Sequence, residues 1–114
     1  MMVNKKEKKL GFTTIQHFPR TKYGISNNDY CVADAIYNLS NNPDSIVFGW
    51  CFASRETIAG FFDLSKRTVI NSINKLKEKE LLEVDEQTKY LRTTQKWYDE
   101  FVVYQINNQK KYKG

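Results

Sequence analysis

Between Ser54 and Leu82 the apolar positions recur with the period of a helix in two blocks separated by a short break. Thr57, Ile58, Phe61 and Phe62 make the first block, and Val69, Ile73 and Leu76 make the second. Ser54 and Ser65 stand just ahead of them, where a hydroxyl can accept from a free helical N–H. Asp63-Leu64 supplies the turn, and Ala59 is small enough to let two helices approach. This spacing predicts a helix, a tight turn and a second helix: a helix-turn-helix. The second helix has a polar face of Lys66, Arg67, Thr68, Asn71, Ser72 and Lys75. Such a face can donate to phosphates and to base edges in a major groove.

The flanking pattern extends this core. Phe12 to Tyr23 is β-branched and aromatic, and Pro19 argues against a long helix, so a short strand or extended segment is expected. Ser26 to Asp29 has the form of a capping box, and Ala33, Ile36, Tyr37 and Ser40 share one face of the helix that follows. Asn41 to Asp44 ends it. Ile46 to Ala53 reads as a short strand, with Trp50 as a packing residue. Glu80 to Val84 and Lys89 to Arg92 read as a hairpin about an Asp85–Thr88 turn. A hairpin directly after the second helix of the motif is a wing. Thr93 or Thr94 then caps a last helix with an aromatic stripe of Trp97, Phe101 and Tyr104, flanked by Tyr98 and Val102. That helix either packs on the domain or forms a homodimer contact. The expected fold is α+β, mostly α: a winged helix-turn-helix with a small antiparallel sheet and a C-terminal helix. The expected layout is a basic arm at 1–11, the domain at 12–93, the last helix at 94–108 and a basic tail at 109–114.

The chain has 114 residues and a net charge of +5. That length suits one domain with a modest core. Where the charge lies matters more than its total. Residues 1–22 carry Lys5, Lys6, Lys8, Lys9, Arg20 and Lys22 against Glu7, whereas residues 23–53 carry only Asp29, Asp34 and Asp44. Residues 54–79 set six basic groups against three acidic ones, and the wing is again acidic. Positive charge therefore collects on the second helix of the motif and at the chain ends, where an anionic polymer would meet it. No apolar run approaches the length of a membrane span, and the basic start lacks the apolar core of a secretory signal. A cytoplasmic location without membrane contact is expected, with Cys31 and Cys51 reduced.

No catalytic constellation is visible. His17 is the lone histidine and has no acid or thiol beside it in sequence. There is no Gly-rich phosphate loop, and the two cysteines fit no zinc spacing. Neither an enzyme nor a metal or other cofactor is expected. The chemistry on offer is anion contact at two helix N-termini, through Ser54, Arg55 and Thr57 at one and Ser65 at the other. Lys66, Arg67, Thr68, Asn71, Ser72 and Lys75 are the groove candidates, with Arg67 suited to guanine and Asn71 to adenine. Lys89 is placed to touch the DNA backbone from the wing.

From about Ile25 to Arg92 the chain resembles the winged helix-turn-helix domains at the N-termini of phage and plasmid replication initiators and replisome organisers. The resemblance rests on Asp34-Ala35-Ile36-Tyr37, on the run from Phe52 to Ala59, on Leu64-Ser65-Lys66-Arg67-Thr68-Val69, and on Ile73 to Leu82. It implies recognition of double-stranded DNA at a replication origin, with replication proteins as further partners. A small bacterial transcriptional regulator shares the same pattern, and some winged helices serve as protein-interaction modules. Two positions depart from the pattern: Asp63 stands where Gly is usual, and Ile70 where a polar residue is usual. The first implies a left-handed backbone that Asp tolerates at some cost. The second replaces a polar contact with a side chain suited to a thymine methyl or a partner chain. The wing tip, Asp85-Glu86, is too acidic for deep insertion beside phosphates.

Overall fold

Serine or threonine hydroxyls start four of the helices. In this computed structural model, which describes residues 13–41 and 49–113, Ser26 accepts from the backbone N–H of Asp29 at 3.0 Å. The Asp29 carboxylate accepts in return from the Ser26 N–H at 2.9 Å, closing the expected capping box. Ser54 and Ser65 accept from Thr57 and Thr68 at 3.0 and 3.1 Å, and Thr94 from Trp97 at 3.3 Å. The helices are α1 (His17–Lys22), α2 (Asn27–Ser40), α3 (Arg55–Phe62) and α4 (Lys66–Glu78). A C-terminal helix follows as α5 (Gln95–Trp97), a π-helical turn (Tyr98–Val102) and α6 (Val103–Lys113).

The segment expected as a short strand or extended stretch up to Tyr23 contains α1 instead from His17. Pro19 is its third residue and sits in the first turn, where a missing N–H deprives no intrahelical acceptor. Proline thus limits this helix at its start without preventing it. Gly24, at φ 68°, then turns the chain into the Ser26 cap.

Helix α2 is the centre of the domain. Tyr30, Val32, Ala33, Ala35, Ile36 and Ser40 are all buried, more of its circumference than the single face read from sequence. It is enclosed because α3, α4 and β2 all pack against it. Helix α3 ends at Asp63 with φ 57° and ψ 44°, the left-handed geometry expected for that turn. Leu64 N–H then donates to Ala59 carbonyl at 2.9 Å. Val69, Ile73 and Leu76 of α4 join Ile58, Ala59 and α2 in one core.

Glu80, at φ 63°, redirects the chain out of α4 into the wing. Strands β1 (Leu82–Val84) and β2 (Leu91–Thr93) pair antiparallel, Leu82 with Thr93, Glu83 with Arg92 and Val84 with Leu91. Both are shorter than expected: β1 loses Glu80 and Leu81 to the left-handed step out of α4, and β2 loses Lys89 and Tyr90 to the Asp85 turn. Its side chain accepts from Thr88 N–H at 3.0 Å, its carbonyl accepts from Lys89 N–H at 2.8 Å, and Lys89 turns left-handed at φ 67°. The strand expected over 46–53 reduces, among the described residues, to one bridge between Cys51 and Leu91. Residues 46–48 of that segment and the arm at 1–11 lie outside the described residues. Cys31 and Cys51 are free thiols.

The C-terminal helix belongs to this same core. Trp97 and Phe101 stack at 4.2 Å and meet the Tyr30 ring edge-on at 5.3 and 5.7 Å. Both are essentially unexposed, at 1% and 0%, so of the two alternatives open to this helix these residues take packing on the domain and not the dimer contact. Tyr104 is half-buried and stacks on exposed Phe18 of α1 at 5.8 Å. The helix runs on to Lys113, past the point at which a tail was expected.

Candidate nucleic-acid interface

Helices α3 and α4 begin alike: a serine caps, and a threonine three residues on places its hydroxyl 2.9 Å from the serine hydroxyl. In each case the cap occupies one N–H, and the positive end of the helix dipole faces outward. Helix α4 buries Val69, Ser72, Ile73 and Leu76 on one side. The opposite side, by the same helical spacing, carries Arg67, Ile70, Asn71 and Asn74, all exposed. Arg67 and Asn71 were expected there. Asn74 was not, although it lies three residues beyond Asn71 on the same line. Ile70 is 37% exposed in the middle of this strip.

The remaining candidates divide by their partners. Lys66 pairs with Glu56 at 3.0 Å, tying the start of α4 to the start of α3. The Lys66 ammonium beside Glu56 holds that carboxyl below the usual range, chiefly through their hydrogen bond. Arg55 donates to the Lys89 carbonyl at 2.9 Å and so joins α3 to the wing, while the Lys89 ammonium lies 3.8 Å from Glu86. Thr57 is exposed and Thr68 half-buried beside their caps. Lys75 lies 3.5 Å from Asp29.

Ser72 does not belong to the reading surface. It is 3% exposed and donates to Asp29 Oδ1 at 2.6 Å, so its hydroxyl points into the protein. The helical period places residue 72 on the same flank as Val69 and Leu76; its polarity alone suggested otherwise.

The wing presents a second kind of surface. Arg92 lies over the Trp50 ring at 4.2 Å and donates twice to Glu83 Oε1, at 3.2 and 3.1 Å. Phe52 is exposed and meets Tyr90 edge-on at 6.3 Å. With an acidic tip and a neutralised arginine, the wing offers phosphate one cation, Lys89, held only loosely by Glu86.

Residues 47–82 match the family model of a helix-turn-helix domain. No curated protein matches the chain. Among solved structures, a MarR/EmrR family transcriptional regulator from Acinetobacter sp. ADP1 is similar over 97% of this chain and 72% of that one, with 24% identity and a TM-score of 0.52. This chain is a winged helix carrying a helix-turn-helix. The matched segment holds both capped helices and ends at the first wing strand, so it covers the strip from Arg67 to Asn74. No helix among the described residues is long and apolar enough to cross a membrane. Among the same residues, no group of three or more His, Cys, Asp or Glu is placed to hold a metal ion.

Proposed function

We propose that this protein binds double-stranded DNA sequence-specifically, with α4 in the major groove. The observation that carries the reading is the outward strip Arg67, Ile70, Asn71 and Asn74 on a helix whose other side is locked into the core. It mixes a bidentate guanine donor, two amides suited to adenine and a methyl-bearing side chain suited to thymine. The caps at Ser54 and Ser65, with Arg55 and Thr57 at one and Lys66 and Thr68 at the other, hold the phosphates on either side. Lys89 is the backbone contact from the wing.

Two biological roles follow from different observations. The sequence resemblance to replication initiators favours recognition of an origin on a phage, plasmid or other mobile element. The similar solved structure is titled a transcriptional regulator, which favours control of transcription. Selection of bound sequences from random duplex DNA at near-physiological salt tests both. A recovered motif supports specific readout, direct repeats favour the origin role, and one inverted repeat favours a regulator acting as a dimer. Arg67→Ala is expected to weaken binding to that motif by about 1–3 kcal/mol and to relax preference at one position. Recovery of no motif refutes specific readout and leaves a protein partner for the same surface.

A further inference from the structure

Packing of Val69, Ile73 and Leu76 holds α4 on the domain through apolar contact, which is itself non-directional. Among the described residues, the directional contacts to its buried side come from one carboxylate. Asp29 is 5% exposed and lies in the first turn of α2. Its Oδ2 accepts from Ser26 N–H and faces Lys75 at 3.5 Å, while its Oδ1 accepts from the Ser72 hydroxyl at 2.6 Å. Ser72 and Lys75 lie three residues apart on α4, so the carboxylate grips two points one turn apart.

We propose that Asp29 is a positioning residue for sequence readout, fixing the rotation and axial register of α4 from behind. This rests on the duplex-DNA reading above. The geometry shows why such a pin matters. Side-chain tips lie about 6 Å from a helix axis, so a 20° roll of α4 moves Arg67 and Asn71 by about 2 Å. That exceeds the tolerance of a base-edge hydrogen bond, whereas a phosphate contact by a flexible side chain adapts to it. The hub also reassigns Lys75. Releasing it would leave a buried carboxylate without its counter-charge, so Lys75 serves Asp29 and not a phosphate.

The test uses the full chain and two duplexes: the motif recovered by the wild-type protein, and the same duplex with its most constrained base pair changed. Ser72→Ala removes the Ser72 bond and leaves the cap and the Lys75 pair in place. We expect discrimination between the duplexes to fall by about threefold to tenfold, because affinity for the correct duplex drops more than affinity for the altered one. Equal weakening on both duplexes, or none, overturns the proposal, because a merely structural role moves both together. Lys75→Met provides a second variant at a surface-accessible side chain. It is expected to lower discrimination while the salt dependence of binding keeps its slope. A slope reduced by about one phosphate contact assigns Lys75 to DNA and overturns its place in the hub. Recovery of no motif by the wild-type protein is seen before any variant is made; it fails the duplex reading itself, and the positioning role with it.

Discussion

The burial of Phe101 makes a sharp prediction about where the stability of this domain lies. Its ring is 0% exposed, stacked on Trp97 at 4.2 Å and edge-on to Tyr30 at 5.7 Å. Truncation to alanine would cost about 3–5 kcal/mol, comparable to the whole stability of a small domain, and would confuse weakening with failure to fold. Phe101→Leu is the better perturbation. It keeps an apolar side chain, loses the stack, worth about 0.5–1.5 kcal/mol, and leaves a small void. We expect a net loss of about 1–2 kcal/mol. Urea unfolding followed by tryptophan fluorescence and by far-UV dichroism measures it, at two protein concentrations about a hundredfold apart. A contact within one chain gives the same loss at both concentrations. A loss that grows as concentration rises would mean that Phe101 stabilises a partner contact, and the assignment of the C-terminal helix to the core would be wrong.

Three further outcomes follow from the same contacts. Burial pushes the half-buried Asp34 carboxyl up to about 6, with the Asn38 hydrogen bond opposing. A carboxyl with a raised folded pKa stabilises fully below its unfolded pKa, near 4, and that contribution is lost as pH rises through about 6. Asp34→Asn should therefore stabilise the protein by about 1 kcal/mol at pH 7, after discounting for solvent, and flatten the fall in melting temperature between pH 4 and 7. Asp63→Gly should raise stability by up to about 1 kcal/mol in thermal unfolding, because glycine adopts the left-handed cap without strain. Glu56→Gln should free Lys66 and tighten binding to any duplex, with little change in which base pairs are preferred; an altered preference would place Lys66 on a base edge.

Periodicity made most of this architecture legible, for a definable reason. The stripe of Val69, Ile73 and Leu76, the serine caps and the left-handed Asp63 are local consequences of neighbouring residues, so sequence spacing carries them. Pairings between distant segments are not local. Ser72 looked like one more polar residue on a polar face, and only Asp29, forty-three positions earlier, shows why a hydroxyl is buried there. The C-terminal aromatics show the same limit: a stripe of Trp97 and Phe101 fits a core or a dimer equally well until Tyr30 is found beneath it. Pro19 falls in the first helical turn, where proline is tolerated, and with no side-chain cap at Gln16 nothing local marks where that turn begins.

The pairings also change what the charge pattern means. Read as a count, Arg55, Lys66, Arg67, Lys75 and Lys89 form a strongly cationic face. In the folded protein Lys66 and Lys89 face exposed carboxylates, Arg55 gives one of its donors to a backbone carbonyl, and Lys75 pairs with a buried carboxylate. Exposed pairs are worth about 0–1 kcal/mol, so phosphate can displace Glu56 and Glu86 at little cost. The pair with Asp29 cannot be exchanged so cheaply, because it would strand a buried charge. Cations that an approaching duplex can recruit therefore lie at the starts of α3 and α4 and at the wing, and the cation at residue 75 holds the helix in place. Attraction and orientation are thus assigned to different residues of one helix: attraction tolerates movement of the side chains, and orientation does not.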